Sequence, residues 1–373
     1  MHKGRPVTAG SKALENFVSP LSAEVVVRLE AAGVEILGKT KMEEFGAAGL
    51  FADTSQVKYF VGGTDENSGS SFPNSGFMSG AVSAVANGVA AFALCNDYTG
   101  AISECAAAHG VCYIHPTYGS VSRYGLIPAV QSMDQIGIVC KTPQEGFRAL
   151  SIIAGYDPND GAMFPADLRQ IHNSQFATHD SDEGKPSNSR LRIGVPVNVF
   201  SSIPNSEFLI PNFDHETVEF ELKYFEVYAQ VMQILCCGEL SNNISRYDGI
   251  KFGHRADGYE GLHELYTKSR TEAFGTDVKL AALVGSMVLS QGYYERYYDK
   301  AMRIRRLIKE SLDFEKYDAI IVPAGTEFGN AALSRLCGLP AVTVPSSGGG
   351  ITFIADVNHE DVLKEVVTGK FFN

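Results

Sequence analysis

The 373-residue sequence lacks the features that mark secreted, membrane and nucleic-acid-binding proteins. Its start, MHKGRPVTAGSK, has no apolar stretch of the kind that a signal peptide requires. No run approaches the roughly 18 apolar residues that a membrane helix needs. Lysine and arginine number 31 against 43 aspartates and glutamates, so the formal net charge is −12. Because nucleic-acid-binding surfaces are usually basic, we expect neither membrane contact nor direct nucleic-acid binding.

Paired metal-ligand and cofactor motifs are also missing. The cysteine count is seven, which is odd, and no two cysteines have C-x-x-C spacing, which is typical of reduced thiols in a cytoplasmic protein. His109 and His115 lie close in sequence but have no acidic partner at ligand spacing. The glycine turn at 346–350 is not followed by the helix and lysine of a phosphate loop. The sequence therefore predicts no metal and no cofactor.

The composition that remains is that of an ordinary globular protein, with 45% apolar and 20% charged residues. A helix is predicted from Ser22, as its N-cap, to Gly33, followed by a strand at 34–37. A second unit has a helix of small residues at 80–87 and a strand at 90–95. Helices alternating with short apolar strands predict the α/β class, with a central sheet covered by helices on both faces.

The rest of the chain continues this pattern. We expect a polar surface loop at 172–190, two helix-rich stretches at 214–236 and 256–312, and strands at 191–196, 319–325 and 339–345. No boundary divides the chain into independent units. It is therefore predicted to be a single domain over 1–373, with its core in 11–160 and 191–373.

Several long segments resemble one known family. They are LGKTKMEEFG at 37–46, HPTYGSVSRYGLIPAVQSMDQIG at 115–137, SRYDGIKFGHRAD at 245–257, LSQGYYERYYDKAMRIRRLIKE at 289–310 and CGLPAVTVP at 337–345. Together they are similar to the amidase signature family, and within it to the A subunits of tRNA-dependent glutaminyl and asparaginyl amidotransferases. The likeness runs from about Ser11 to Pro345 and implies the amidase signature fold, a mixed sheet wrapped by helices.

The resemblance also implies a mechanism, from which this chain departs. In the family a serine attacks the amide, a second serine relays its proton, and a lysine is the final base. The family turn D-T-G-G-S-I-R falls on 97–103, where Asp97 and Gly100 match. The nucleophile position carries Ala101, and the arginine position carries Ser103. A methyl group cannot attack a carbonyl.

The other family positions are changed as well. Phe77 stands where the relay serine is expected, and the lysine position falls before Met1, as in an N-terminally truncated relative. The helix whose arginine would hold a glutamine carboxylate reads VKLAA at 278–282, without a guanidinium. The stretch at 328–336, where an aspartate would hold the substrate amino group, has no acid.

Three residues could replace the lost nucleophile: Ser70, Ser71 and Cys105. Cys105 would need a nearby cation or base to lower its pKa, whereas its neighbour Glu104 is acidic. The hypothesis is therefore a pseudoenzyme without catalytic residues, which acts as a scaffold with B- and C-type amidotransferase subunits or by self-association. The alternative is an active amidotransferase subunit of the A type, or an amidase, with a reorganised site.

Overall fold

The computed structural model describes residues 1–47, 49–51, 79–163, 190–201, 215–324, 328–346 and 350–368. The eight strands are β1 (Phe92–Asn96), β2 (Cys112–His115), β3 (Ile136–Cys140), β4 (Arg192–Pro196), β5 (Glu216–Phe220), β6 (Ala319–Pro323), β7 (Ala341–Val344) and β8 (Ile351–Ala355). The helices in the same ranges are α1 (Glu24–Ala31), α2 (Gly80–Ala86), α3 (Ala101–Ala108), α4 (Pro143–Ile153), α5 (Val197–Phe200), α6 (Tyr228–Ile244), α7 (Gly261–Ala273), α8 (Thr276–Val288), α9 (Lys300–Glu310), α10 (Phe328–Cys337) and α11 (Glu360–Thr368).

The strands form one sheet in the order β1-β3-β2-β7-β8-β6-β4-β5. β4 runs parallel to β5 and β6, and the remaining pairs are antiparallel. Every residue of β3, β6 and β8 is buried, which explains their apolar runs. The predicted mixed sheet is confirmed, and it takes strands from both halves of the chain. The single-domain boundaries stay a prediction.

Helices cover both faces of the sheet, as predicted. Along β2, Tyr113 packs with α2 and α3 in one cluster, and the next residue, Ile114, packs with α1 and α4 in another. Successive strand side chains point to opposite faces, so these clusters lie on opposite sides of the sheet. A third cluster joins α6, α8, α9 and α10 to Ile320 and Val322 of β6.

The helix and strand at 80–87 and 90–95 are confirmed as α2 and β1, with Ser79 as the N-cap of α2. The strand predictions at 191–196, 319–325 and 339–345 are also confirmed, and 256–312 contains α7, α8 and α9. Most of the expected polar loop, 172–189, lies outside the described residues. β8 and α11 were not predicted.

Three local predictions were wrong. The cap of α1 is Ala23, because the Ser22 hydroxyl instead accepts a hydrogen bond from the Lys3 N–H. Residues 34–37 are not a strand: the Val34 N–H donates to the Leu29 carbonyl at the end of α1. The first part of 214–236 is the edge strand β5, and α6 begins at Tyr228.

Candidate functional site

The family turn links the end of β1 to the start of α3. Gly100 caps α3 with a left-handed backbone (φ 88°). A Cβ on Gly100 would lie 2.1 Å from the Cβ of Ala331 on α10. Only glycine therefore suits the backbone angle and leaves room for α10 to lie against the turn.

Asp97 organises this turn from within. Its carboxylate accepts the N–H groups of Gly100 (2.9 Å), Ile102 (3.2 Å) and Ser103 (3.0 Å). Charge-assisted hydrogen bonds of this kind, at the start of a helix, are among the stronger ones in proteins. The Asp97 carboxylate therefore fixes the backbone on both sides of residue 101.

Arg335, on α10, forms a buried ion pair with Asp97. The Nη2–Oδ2 distance is 2.9 Å, and each side chain is 1% exposed. The guanidinium also donates to the Asp97 carbonyl (3.2 Å), Ser103 Oγ (3.2 Å) and Ser334 Oγ (2.8 Å). An arginine distant in sequence therefore contacts Ser103, the residue that stands at the arginine position of the family motif.

Sequence reasoning missed Arg335. The family pattern pointed to an acid in the stretch at 328–336, and the base that stands there was overlooked. One signal was available: Arg335 is the sole charged residue in AALSRLCGLP at 331–340. A charge in such an apolar stretch needs a partner if it is buried.

Ala101 is half-buried at the first position of α3. Its N–H lies 3.4 Å from Thr99 Oγ1, and the N–H of Gly100 donates to Asp97. Its methyl group lies 3.7 Å from the point where a Cβ on Gly49 would stand. The two N–H groups nearest the nucleophile position thus have acceptors inside the turn.

Of the three residues proposed as replacement nucleophiles, Cys105 lies within the described residues. Ser70, Ser71 and the relay position Phe77 lie outside the described residues. Cys105 is 1% exposed, and burial raises the pKa of its thiol to about 12, with Glu43 and Glu104 adding to the rise. Because only the thiolate is a strong nucleophile, Cys105 lies in surroundings that oppose its activation.

Two histidines lie near this region. His109 Nδ1 is 2.8 Å from the Cys105 carbonyl and 3.6 Å from its sulfur, so the shorter contact is to the backbone. His115 ends β2, is 2% exposed, and has a pKa well below the usual value because of burial and the charge of Arg335. Within the described ranges no three His, Cys, Asp or Glu side chains are grouped so as to hold a metal ion.

Glu43 is a titratable group beside the site that the sequence did not indicate. Burial raises the pKa of its carboxyl to about 7, and the nearby Asp97 charge adds to the rise. The adjacent Glu44 accepts hydrogen bonds from the Ser11 hydroxyl and from the Gly275 N–H, just before α8. Glu44 thereby joins the segment at 37–46 to the start of α8.

The expected substrate-binding positions carry no matching charge. On α8, Ala281 is fully buried and Leu280 is 40% exposed, where the family helix would present an arginine. A cavity of about 150 Å³ is lined by Arg123, Tyr124, Leu126, Pro128, Gln131, Asp134, Asn159 and Asp160. None of these residues belongs to the turn.

Among the described residues, no helix has the length and the apolar character needed to span a membrane.

Comparison with known proteins gives a consistent result. The model of the amidase family matches residues 2–332. The A subunit of glutamyl-tRNA(Gln) amidotransferase from Lachnoclostridium phytofermentans is 36% identical over 92% of this chain and 72% of its own length. The protein of the same name from Agathobacter rectalis is 38% identical over 86% of this chain and 63% of its own length. This chain thus spans roughly two thirds of the length of such relatives.

Solved structures share the fold. The crystal structure of the A subunit of glutamyl-tRNA(Gln) amidotransferase from Thermotoga maritima aligns with a TM-score of 0.67 and 24% identity, over 98% of this chain and 79% of that one. The peptide amidase of Stenotrophomonas maltophilia aligns with a TM-score of 0.67 and 22% identity, over 96% and 78%. At these identities the likeness concerns the fold alone.

Proposed function

This chain belongs to the amidase signature family, and we propose that it keeps the family fold as a non-catalytic binding scaffold. The observation that carries the proposal is the turn at 97–103, where Ala101 stands at the nucleophile position on a backbone held by Asp97 and Arg335. The buried ion pair gives this turn a structural role that needs no nucleophile at position 101. A folded chain without that nucleophile supports a role in binding rather than in amide hydrolysis.

The chemistry at the turn supports the same proposal. Amide hydrolysis by this route needs a nucleophile, a base and free N–H groups facing the developing oxyanion. Ala101 offers no nucleophile, and the N–H of Gly100 is bonded to Asp97 at 2.9 Å. The cation at the turn is Arg335, and an arginine cannot lose its proton to act as a base.

The scaffold's partners follow from its relatives, which are named as A subunits of glutamyl-tRNA(Gln) amidotransferases. We propose that this chain occupies an A-type position beside B- and C-type subunits in the cytoplasm, while the B-type subunit contacts tRNA. None of its seven cysteines, all of them within the described ranges, is in a disulfide, as a reducing compartment would leave them.

Co-expression tests the scaffold role. Tagged full-length chain should co-purify with the B- and C-type subunits of its own source in fixed stoichiometry. An active A-type chain from the same source should compete with it. Failure to bind either subunit, with the active A-type chain binding under the same conditions, would remove the amidotransferase complex from the proposal.

The second candidate function is an active amidotransferase subunit or amidase with a reorganised site. The names of the relatives favour it. Ser70, Ser71 and Cys105 are its candidate nucleophiles. If this alternative holds, ammonia release from glutamine is measurable and is abolished by Ser70→Ala, Ser71→Ala or Cys105→Ala. Under the scaffold proposal there is no activity for these substitutions to remove.

A further inference from the structure

Two cysteines face each other within the sheet. Cys112 of β2 and Cys140 of β3 are direct partners in the antiparallel register, and both side chains belong to the cluster that includes α1 and α4. Both are free thiols. Cys95 of β1 is the other cysteine on a described strand, and its register partner on β3 is Gly137. Among the described strands, one pair of cysteines is therefore placed for a covalent link.

The strand geometry suits a disulfide at this position. Directly opposed residues of antiparallel strands have Cα atoms about 4.5 or 5.5 Å apart, depending on whether they exchange hydrogen bonds. A disulfide joins Cα atoms about 4.4–6.8 Å apart, so either kind of pair is suitable. The Cys140 sulfur lies 3.9 Å from the Cys112 carbonyl oxygen, and the Cys112 sulfur lies 3.8 Å from the Lys141 carbonyl oxygen. Bond formation thus calls for side-chain rotation, while the two strands keep their places.

The folded surroundings shield the two thiols from reagents. Cys112 is 4% exposed and Cys140 is fully buried. A Cβ on Gly146 of α4 would lie 2.5 Å from the Cys140 sulfur, so α4 lies directly over that sulfur. Burial raises the pKa of the Cys112 thiol to about 12, and it also raises the pKa of the Cys140 thiol. Because the thiolate is the reactive form, the link forms before α4 closes over the strands during folding.

The chemistry that joins the two sulfurs is thiol–disulfide exchange. We propose that Cys112 and Cys140 form a reversible disulfide when the chain folds in the presence of glutathione disulfide. One cysteine thiolate attacks glutathione disulfide, breaks its S–S bond and releases one glutathione thiolate. The second cysteine gives its proton to the solvent, attacks the protein sulfur of the mixed disulfide and releases the second glutathione thiolate. Two protein thiols are oxidised and one glutathione disulfide is reduced, so no further reagent takes part.

The link would fasten both ends of the segment at 115–137. That segment carries Arg123, which pairs with Asp160 at 2.8 Å and lines the cavity beside it. Closing a loop of roughly 30 residues lowers the entropy of the unfolded chain. For a chain of this length the melting temperature should rise by about 5 °C. Oxidation would thereby stabilise the pairing of β2 with β3 and the segment between them.

Refolding in a glutathione buffer tests the pair. The full chain is unfolded in urea, refolded in a buffer as oxidising as the endoplasmic reticulum, and its remaining thiols are alkylated in urea. Peptide mass spectrometry without reduction should find one disulfide, between the peptides that hold Cys112 and Cys140. The melting temperature should exceed that of the reduced chain by about 5 °C, and dithiothreitol should reverse both changes.

Substitutions provide the controls. Cys112→Ala and Cys140→Ala should each abolish the cross-link and the rise in melting temperature, and circular dichroism should show that both variants fold. Cys337→Ala is the matched control, since Cys337 is also 4% exposed but lies on α10, away from the two strands. It should keep both the cross-link and the rise.

Two outcomes would overturn the proposal. One is a refolded wild-type chain in which Cys112 and Cys140 stay free, or in which either keeps a glutathione adduct. The other is a disulfide that joins different cysteines, or a rise in melting temperature that persists in Cys112→Ala. Neither result depends on whether the chain is a scaffold or an active enzyme.

Discussion

Replacing Arg335 by methionine perturbs the candidate site at its most buried charge. The substitution keeps a long side chain but removes the guanidinium that donates to Asp97 at 2.9 Å. Asp97 would keep its three backbone donors, but its charge would lose the ion-pair partner that the described residues give it, in a position that is 1% exposed. Breaking a buried pair in this way costs about 3–5 kcal/mol of unfolding free energy.

Urea unfolding followed by circular dichroism measures this cost from the shift in midpoint at constant m-value. The matched control is Arg306→Met on α9, which removes an ion pair with Glu310 whose side chains are 79% and 52% exposed. That loss should change stability by less than about 0.5 kcal/mol.

A double-mutant cycle separates the pair from the packing. Asp97→Asn with Arg335→Met removes both charges, so the double variant should be more stable than the sum of the two single losses predicts. A coupling of about 2–3 kcal/mol is expected for contacting charges. If Arg335→Met costs no more than the Arg306→Met control, or the two changes are additive, Arg335 does not hold the turn.

Three further predictions concern single residues. Gly100→Ala should lower the free energy of unfolding by about 3 kcal/mol or more, because the new methyl group meets Ala331 at 2.1 Å. Gly33 also has a left-handed backbone but has open space around it, so Gly33→Ala should lower the free energy of unfolding by about 1 kcal/mol in the same urea assay. The Glu43 carboxyl, with its pKa raised to about 7, favours folding while protonated, so stability should fall as pH rises from about 4.5 through 7. Glu43→Gln should remove that fall, on the order of 1–2 kcal/mol, whereas an unchanged pH profile would contradict the burial of this carboxyl. The Cys105 thiol, with its pKa raised to about 12, should resist alkylation by iodoacetamide at pH 8 in the folded chain and react in urea. Peptide mass spectrometry measures the labelling. Rapid labelling of the folded chain would indicate an activated thiol and contradict this prediction.

The elements that the sequence predicted well are those whose signals are local. The small residues of α2, capped by Ser79, allow close packing on the sheet, and the apolar runs of β6 and β7 match their complete burial. The segment at 34–37 shows the limit of such patterns. Val34 and Ile36 are partly buried and Glu35 is exposed, which is strand-like alternation, yet the Val34 N–H is taken by the end of α1.

The other errors have two causes. Glu216–Phe220 pairs with β4, and the alternation of Val218, Phe220 and Leu222 with glutamates is a local strand signal that the helix prediction passed over. The match between Asp97 and Arg335 joins residues 238 positions apart. The family motif directed attention to Ser103, where an arginine was missing, but only the fold shows that α10 supplies one.

Ammonia release from glutamine tests the central proposal most directly. The full-length chain would be assayed alone and with B- and C-type subunits, with an active A-type chain from the same source as the positive control. We expect no ammonia above the enzyme-free rate from the wild-type chain. The Ala101→Ser variant should also be inactive, since the restored hydroxyl would still lack the family's relay serine, whose position carries Phe77. Glutamine-dependent ammonia release that is lost on substitution of Ser70, Ser71 or Cys105 would show that the chain is an active enzyme and contradict the scaffold account.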